Sequence, residues 1–376
     1  MNLLYIGEKP IQNTKPYKLL NTVKNLSYKV IYTGTVSNIN KYNSERINQA
    51  AFNHNLFEGY NYINANGNKN TVLNEVKECD VMVVYGHYDK IFKKALLRGK
   101  LVGKKIILTT DATTILGSYE SGGWKIKFKP LFLKLLYNVF ANAVFVPSTV
   151  SKKFLQSVGV KESKIVTTPY VVDEDYFQTV LQKQNNIRGK HNINSTTIVF
   201  IFCAKFLERK KPLDAIEAFS KINNSNAVLI MIGDGPLKET IQNKIATLNI
   251  SHKVIMPGIV TYSDLPLYYA ASNVLLFTSS HEPYGLPVNE AMLCGIPAIV
   301  SDSIGARLDL VQDGQTGYTY KTGNINELSV LMQQVIDKPE FFKQMGNNAK
   351  QQMKKWSSEV NVENQLNFFK QKGWLK

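Results

Sequence analysis

Residues 278–302 read TSSHEPYGLPVNEAMLCGIPAIVSD, and the order of loop and helix signals in this stretch decides the fold. Apolar runs at residues 273–277 and 298–300 bound it, and each has the composition of a buried parallel strand. The intervening helix is predicted to start at Pro287, since proline is tolerated at the first helical position, and to stop at Gly295, which readily becomes left-handed. The stretch therefore predicts an α/β fold with a parallel sheet.

Two glutamates of this stretch lie eight positions apart, Glu282 in the loop and Glu290 in the first helical turn. Open α/β sheets bind ligands at the carboxyl ends of their strands, so a pocket is expected here. Gly285 lacks a Cβ and lets a ligand approach the backbone, while the positive end of the helix suits a diphosphate. The alternative is a structural unit in which Glu290 is merely a favourable first-turn acid. The candidate ligand-binding residues are Pro283, Tyr284, Gly285, Leu286 and Glu290.

The string EPYGLPVNEAMLCGIPAIVSD resembles the donor-site signature of retaining nucleotide-sugar glycosyltransferases of family 4. The resemblance is strongest over residues 143–320 and implies a GT-B fold, with two Rossmann-like domains facing an interdomain cleft. It implies transfer of a hexose, with retention of configuration, from a UDP- or GDP-type sugar to a hydroxyl of a glycan or lipid-linked acceptor. Bacterial-type surface polysaccharide or glycoconjugate synthesis is the implied setting. The matching positions are Glu282, Gly285, Leu286, Glu290, Ala291, Met292, Gly295 and Pro297.

The resemblance also implies roles for other residues of the second half. Lys205 and Lys210 match two cations that the family places on the donor diphosphate. The first is normally arginine, so Lys205 keeps a point charge without a bidentate fork. Gly233 matches an element beneath the nucleotide, and Pro257 lies in the strand whose end is expected to hold the base. Solvated charge is the alternative interpretation of the lysines.

The implied mechanism needs no metal or other cofactor, because the lysines and the helix dipole supply the positive charge. The leaving phosphate accepts the proton of the acceptor, so no glycosidase-like carboxylate pair is required. Glu290 is expected to hold the ribose hydroxyls and Glu282 the hydroxyls of the sugar. Asp173, Glu174 and Asp175 formally make a DxD motif, but its place in a linker after a proline turn argues against a metal site.

The first half offers three further candidates. Gly7 follows a predicted strand at residues 3–6, where family members usually carry a glycine pair facing the donor phosphates and the acceptor. Two later strands end at His87 and Asp111, and the family often has a histidine after one such strand, contacting the donor sugar. His87 fits that role by residue type and Asp111 by position. The alternative for His87 is a capped or solvated loop histidine, and the alternative for Asp111 is the N-cap of a helix.

The length of 376 residues accommodates two domains with sizeable cores. We expect a first domain at residues 1–172, a second at 173–355, and a terminal helix at 356–376 that crosses back to the first domain. No apolar run approaches the roughly 20 residues that span a bilayer. The opening residues MNLLYIGEKP are expected to form a strand and not a signal peptide, which predicts a cytoplasmic protein.

The net charge of +16 requires a partner or another reason, and nucleic acid, an anionic membrane and anionic substrates are all candidates. A basic nucleic-acid-binding protein, or another nucleotide-binding α/β protein without glycosyl transfer, is the alternative function. Such a protein would not explain the paired glutamates, and the chain lacks RNP, zinc and helix-turn-helix signatures. A nicotinamide dehydrogenase would need GxGxxG after the first strand. Cys79, Cys203 and Cys294 are expected to be reduced core thiols.

Residues 124–140 read WKIKFKPLFLKLLYNVF, in which Lys125, Lys127 and Lys129 alternate with apolar residues and a helix is predicted after Pro130. Lysines beside an apolar face are typical of a segment that lies in a lipid interface. The alternative is a core helix with a solvated rim. The pattern and the basic surplus together predict peripheral binding of the first domain to the anionic inner face of the plasma membrane.

Overall fold

The computed structural model describes residues 1–7, 14–34, 59–86, 90–115, 124–184, 186–223 and 226–376, with backbone alone for residues 124–126. The described chain forms two compact units. The first holds the residues up to Asp173 together with Trp356–Lys376, and the second holds Glu174–Lys355. Each unit is built on one parallel sheet.

The first unit contains a seven-stranded sheet whose strands are short apolar runs. In chain order they are β1 (Asn2–Gly7), β2 (Ser27–Tyr32), β3 (Tyr62–Asn64), β4 (Val81–Tyr85), β5 (Lys105–Thr109), β6 (Ala143–Val146) and β7 (Ile165–Thr167). They lie in the order β3-β2-β1-β4-β5-β6-β7, and every neighbouring pair is parallel. Continuous apolar strands such as β4 are expected where helices cover both faces of a parallel sheet.

The helices of the first unit connect these strands. They are α1 (Lys15–Leu20), α2 (Lys69–Glu78), α3 (Lys90–Leu101), α4 (Trp124–Leu135), a π-helical turn (Leu136–Phe140) and α5 (Thr149–Ser157). Helix α4 corrects the prediction, because it begins before Pro130 and contains it. A proline inside a helix removes one backbone hydrogen bond and crowds the preceding turn, yet this helix continues through Pro130 as far as Leu135.

The second unit contains a six-stranded sheet. Its strands are β8 (Ile198–Cys203), β9 (Ala227–Ile232), β10 (Val254–Gly258), β11 (Val274–Phe277), β12 (Ala298–Ser301) and β13 (Gly317–Tyr320). They lie in the order β10-β9-β8-β11-β12-β13, again all parallel. The order along the chain reverses between β8 and β11, and such a switch point is where open α/β sheets bind ligands. The two sheets confirm the predicted α/β class.

The second unit also holds nine α-helices among the described residues, several of them short. They are α6 (Glu174–Leu181), α7 (Ile187–Lys190), α8 (Pro212–Lys221), α9 (Lys238–Thr247), α10 (Leu265–Ala270), α11 (Leu286–Leu293), α12 (Arg307–Leu310), α13 (Ile325–Asp337) and α14 (Pro339–Gln352). The three cysteines of the chain are free thiols, as predicted. Burial raises the pKa of Cys79 to about 11 and that of Cys203 to about 12.

The last helix, α15 (Ser358–Gln371), packs on the first unit. Tyr5 donates its hydroxyl to Gln365 Oε1 at 2.7 Å, across 360 positions of sequence. Asn361 Nδ2 donates to the carbonyl of Pro169 at 2.7 Å, and Lys15 pairs with Glu359 at 3.0 Å. Within the described ranges, no helix is long and apolar enough to cross a membrane.

Candidate functional site

The loop and helix after β11 form where the sequence predicts them, with the helix start displaced by one residue. Helix α11 begins at Leu286, with Pro287 second, because Gly285 at φ 112° turns the chain into the helix. Glu290 is therefore the fifth helical residue, and its predicted place in the first turn is wrong. Gly295 follows the helix end at φ 79°, in the left-handed region that was predicted for it.

Gly285 is required by packing and backbone conformation. A Cβ on this residue would lie 2.9 Å from Ile304 Cγ2 and 2.9 Å from Phe277 Cε1. Residues with a side chain also rarely adopt its positive φ. From the sequence, the lack of a side chain at Gly285 was expected to let a ligand approach the backbone. The structure gives a different reason, which is the tight fit of the loop against β11 and against the segment around Ile304.

Lys210 and Glu282 form an ion pair, although the sequence argument placed them on different parts of a ligand. Lys210 Nζ donates directly to Glu282 Oε2, and Arg209 Nη1 lies 3.5 Å from the same oxygen. The side chains of Lys210 and Glu282 are only 12% and 16% exposed. Burial lowers the pKa of Lys210, and the Glu282 carboxylate opposes this by favouring the ammonium. The site therefore holds two cations around one carboxylate.

Two loops hold this ion pair in place. The loop after β8 carries Arg209 and Lys210 in a short 3-10 helix, and the loop after β11 carries Glu282. Thr278 Oγ1 joins the loops by donating to the carbonyl of Lys210 at 2.9 Å. The backbone N–H of Ser280 donates to the carbonyl of Arg209 at 2.8 Å. The ion pair is thus fixed beside the two neighbouring strands at which the order of the sheet reverses.

Glu290 is buried, at 7% exposure, in the second turn of α11. Tyr269, on α10, donates its hydroxyl to Glu290 Oε2 at 2.9 Å. Burial raises the pKa of Glu290 to about 7, and the hydrogen bond from Tyr269 opposes the rise. The thiols of Cys203 and Cys294 interact electrostatically with this carboxyl, and burial raises the pKa of both. A carboxyl poised near neutral pH in this way is typical of functional sites.

Tyr269 and Arg209 are site residues that the sequence argument did not find. Tyr269 is fully buried and meets Glu290 across 21 positions of sequence, with no motif around it to signal the contact. Arg209 belongs to a basic cluster at residues 209–211, which was a signal, but the resemblance assigned no role to this member. Its Nη1 donates to the carbonyl of His281 at 3.3 Å, which fixes the guanidinium beside the ion pair.

The remaining candidates of the second unit lie around the same strand ends. Lys205 is half-buried directly after the end of β8. Gly233, at φ 149°, donates its N–H to the carbonyl of Gly258 at 3.0 Å, and a Cβ there would lie 2.1 Å from the carbonyl oxygen of Ala204. This glycine lets the ends of three strands approach one another. Pro257 is half-buried in β10, where pairing with β9 is irregular. Their contacts with a nucleotide stay predictions.

Tyr284 contributes its ring to the packing of the second unit. The ring is buried, and burial raises the pKa of its hydroxyl. Asn289 Nδ2 donates to that hydroxyl at 3.4 Å, and the carbonyl of Tyr284 accepts the N–H of Ala306 at 2.9 Å. Pro283 and Leu286 are half-buried on either side of this turn. Ligand binding by these residues stays a prediction.

The candidates of the first half lie at strand ends of the first unit. Gly7 ends β1, and its carbonyl accepts the N–H of Thr33 at 2.9 Å. Asp111 is half-buried in the loop after β5, and residues 111–115 form no helix, so the N-cap alternative is wrong. His87 lies outside the described residues. A role for Gly7 or Asp111 toward a ligand stays a prediction.

The second unit offers positive charge to a ligand. Lys205, Arg209 and Lys210 follow β8, and the positive end of α11 lies after β11. The formal DxD motif instead opens helix α6, with Glu174 and Asp175 in its first turn. In the part of the chain that the structure describes, no group of three or more His, Cys, Asp or Glu residues is placed to hold a metal ion. The arrangement suits an anionic ligand that also carries hydroxyl groups.

Residues 183–352 match the model of the family described as glycosyl transferases group 1. The N-acetyl-alpha-D-glucosaminyl L-malate synthase of Bacillus anthracis is 28% identical over 266 residues, which cover 68% of this chain and 65% of that protein. The alpha-monoglucosyldiacylglycerol synthase of Acholeplasma laidlawii is 29% identical over 178 residues, covering 46% of this chain and 44% of that protein. The matched part therefore spans less than two thirds of the length of either relative.

A solved structure of HepE from Anabaena, in complex with UDP and glucose, is similar over nearly the whole chain. The TM-score is 0.72 with 16% sequence identity, and the match covers 99% of this chain and 100% of that one. At such an identity the likeness concerns the fold alone. The family model coincides with the unit that carries Lys210, Glu282 and Glu290. Residues 183–352 therefore match the group 1 glycosyltransferase family, and the chain has a two-domain GT-B fold.

Proposed function

We propose that this protein is a retaining glycosyltransferase that moves a hexose from a nucleoside-diphosphate sugar to an acceptor hydroxyl. The observation that carries the proposal is the cluster of Arg209, Lys210 and Glu282 at the switch point of the second sheet. Partly buried cations supported by a second loop are suited to a diphosphate, since their charge is screened less there than in bulk water. The match to the group 1 family over the same residues supports the same chemistry.

In the proposed reaction the bond between the anomeric carbon and the diphosphate oxygen breaks. A new bond forms from the acceptor oxygen to the same face of that carbon, and the acceptor proton passes to an oxygen of the leaving diphosphate. Negative charge develops on the diphosphate, where Lys205, Lys210 and the start of α11 would stabilise it. An ammonium has three N–H donors, and Lys210 uses one on Glu282, so others can bind phosphate oxygens. The reaction then requires no metal.

The two glutamates would orient the donor. Glu282 keeps a second carboxylate oxygen besides the one bound to Lys210, and this oxygen would accept from a sugar hydroxyl. Glu290 would accept from the ribose hydroxyls, with its carboxylate held by Tyr269. Such bonds to a charged group contribute about 1.5 to 3 kcal/mol each. Donor affinity should therefore depend on both residues.

We propose a UDP- or GDP-type donor and a glycan or lipid-linked acceptor of the kind used in surface polysaccharide or glycoconjugate synthesis. HepE was solved with UDP and glucose, and the relative from Acholeplasma is named for a glucosyldiacylglycerol product, which supports this choice. We propose that the enzyme works at the cytoplasmic face of the membrane, in peripheral contact with anionic lipid through its first unit. The charge of +16 supports that location.

The test begins with a thermal-shift screen of nucleotide sugars, because a ligand that binds the folded state raises the melting temperature. NMR of the product then reports whether the anomeric configuration is retained. With the donor identified, Lys210→Met should lower kcat by about 100- to 1,000-fold with a smaller change in KM, as when one oxyanion-hole donor is lost. A shift in KM alone would make Lys210 a ground-state binder.

The matched control is Lys244→Met. Lys244 also pairs with a glutamate of the second unit, Glu217, at 2.5 Å, but on helices α9 and α8. This variant should keep the kcat of the native chain. The proposed function would be refuted if no nucleotide sugar raised the melting temperature, or if the anomeric configuration were inverted in the product.

A further inference from the structure

Exposed apolar side chains are concentrated on one part of the first unit. Thirteen large apolar residues are exposed among the described residues, and eight of them lie within residues 97–139. These eight define the docking face, and they are Leu97, Leu101, Val102, Phe128, Leu131, Phe132, Leu135 and Val139. Scattered exposed apolar residues are ordinary on a protein surface, whereas such a concentration indicates a binding surface.

Helix α4 and the π-helical turn carry the larger part of this face. Phe128, Leu131, Phe132, Leu135 and Val139 recur every one to four positions and form one stripe along the helix. They are between 52% and 67% exposed. Leu133 and Tyr137, on the opposite side, are buried in the core at 4% and 1% exposure. The helix is therefore apolar on both sides, and only one side serves the core.

The end of helix α3 extends the same face. Lys100 Nζ donates to the carbonyls of Val139 and Phe140, each at 3.3 Å, and lies 5.5 Å from the centre of the Phe140 ring. These contacts hold the last turn of α3 against the end of the π-helical turn. Leu97 and Leu101, one helical turn apart on α3, thereby join the stripe of α4.

The end of the stripe is fixed to the core. Lys164 Nζ donates to the carbonyls of Asn138 and Ala141 at 2.5 and 2.6 Å, which satisfies carbonyl groups at the end of the helix. Asn138 Nδ2 in turn donates to the carbonyl of Gly159 at 2.8 Å. The exposed stripe is thus presented by a firmly held helix end, so its exposure does not require the helix to detach from the core.

The two segments that carry the docking face contain only basic charges. Residues 90–105 contain seven lysine and arginine residues and no acidic residue, and residues 124–140 contain four lysines and no acidic residue. Lys127 and Lys134 are exposed on one flank of the stripe, and Lys129 lies on its other flank. Apolar side chains flanked by lysines are suited to binding a membrane with anionic headgroups. The apolar side chains can enter the hydrocarbon of the bilayer, and the lysines can pair with the lipid phosphates.

We propose that the docking face lies on an anionic lipid surface, with the stripe entering the boundary between headgroups and acyl chains. This lipid contact rests on the proposed function, in which the acceptor is lipid-linked. A second copy of the chain fits this face less well, since a two-fold contact would bring lysines against lysines. The proposed lipid contact involves both α3 and α4, whereas the sequence alone indicated only the basic segment at residues 124–140.

The test is co-sedimentation of the full chain with vesicles of neutral lipid alone and of neutral lipid mixed with phosphatidylglycerol, at low and high salt. We expect the native chain to pellet with the anionic vesicles at low salt and to be released at high salt. Phe132→Ser combined with Leu135→Ser should lower the vesicle partition coefficient by about tenfold or more. Lys127→Glu combined with Lys134→Glu should lower it similarly and weaken its salt dependence.

The matched control is Val330→Ser combined with Phe341→Ser, which removes two similarly exposed apolar residues from helices α13 and α14 of the second unit. This control should pellet as the native chain does. Equal pelleting of the docking-face variants and the native chain, or no pelleting of the native chain, would overturn the inference. So would a concentration-dependent dimer, seen by sedimentation equilibrium, that the Phe132 and Leu135 double variant abolishes.

Transfer to a water-soluble acceptor separates this inference from the proposed function. The docking-face variants should retain that activity, because their substitutions lie outside the donor site. Loss of vesicle binding by the native chain with transfer intact would refute the docking face alone. Vesicle binding without any transfer would refute the proposed function alone.

Discussion

Replacement of Glu290 by glutamine tests the electrostatics of the site without a ligand. In the folded protein, burial raises the pKa of this carboxyl from 4.5 to about 7. The groups around it are Tyr269, which donates to it, and the thiols of Cys203 and Cys294, whose raised pKa values keep them neutral. Glutamine has nearly the same shape and stays neutral at every pH, so it isolates the cost of ionising this one group.

The sign of the effect follows from linkage. The folded pKa of Glu290 lies above the unfolded one, so its contribution to stability is complete below about pH 4.5 and is lost as the pH rises through about 7. The two pKa values differ by about 2.5, and each pKa unit corresponds to about 1.4 kcal/mol. Ionisation of the buried carboxyl should therefore destabilise the native chain by about 3 kcal/mol.

The assay is urea unfolding of the native chain and Glu290→Gln between about pH 5 and about pH 8, followed by circular dichroism. Two units can unfold separately, so the comparison uses the transition that the substitution moves. The advantage of the glutamine variant should grow by about 2.5 kcal/mol across this range, because part of the effect is already present at about pH 5. Glu239→Gln, on the exposed face of α9, is the control and should show no such trend. Parallel pH profiles for Glu290→Gln and the native chain would refute the reasoning.

Two further predictions concern single contacts of the site. Tyr269→Phe removes the hydrogen bond that favours the ionised form of Glu290, so the pKa of Glu290 should rise further. As the pH is lowered, calorimetry should then show donor affinity being lost at a higher pH than in the native chain, whereas a purely structural role for Tyr269 would leave the pH profile in place. Gly285→Ala forces a side chain into a left-handed position and against Ile304, so it should lower the unfolding free energy by about 1 to 3 kcal/mol. Thermal denaturation measures this, and an unchanged melting temperature would contradict the packing argument.

Local sequence signals predicted both parallel sheets and the strand-loop-helix unit that carries Glu282 and Glu290. These features depend on short-range signals, which are apolar runs of strand length, a proline near a helix start and a glycine after its end. The same signals erred by one residue at the start of α11, because the positive φ of Gly285 depends on its packing against Ile304 and Phe277. The start of α4 was likewise misplaced, since Pro130 is tolerated inside the helix.

The contacts between distant side chains depend on the folded arrangement of the whole unit and could not be predicted from local signals. Lys210 and Glu282 lie 72 positions apart, and the sequence assigned them to different parts of the donor because nothing local links them. The hydrogen bond from Tyr269 to Glu290 also joins residues that are distant in the sequence. The same is true of the contact between α3 and the end of the π-helical turn. The burial of a side chain also depends on distant parts of the chain. The periodicity of α4 predicts an apolar stripe, but it does not predict which side of the helix packs against the core. The neutral-range pKa of Glu290 and the exposed docking face both follow from packing, because desolvation depends on atoms that the fold brings from distant parts of the chain.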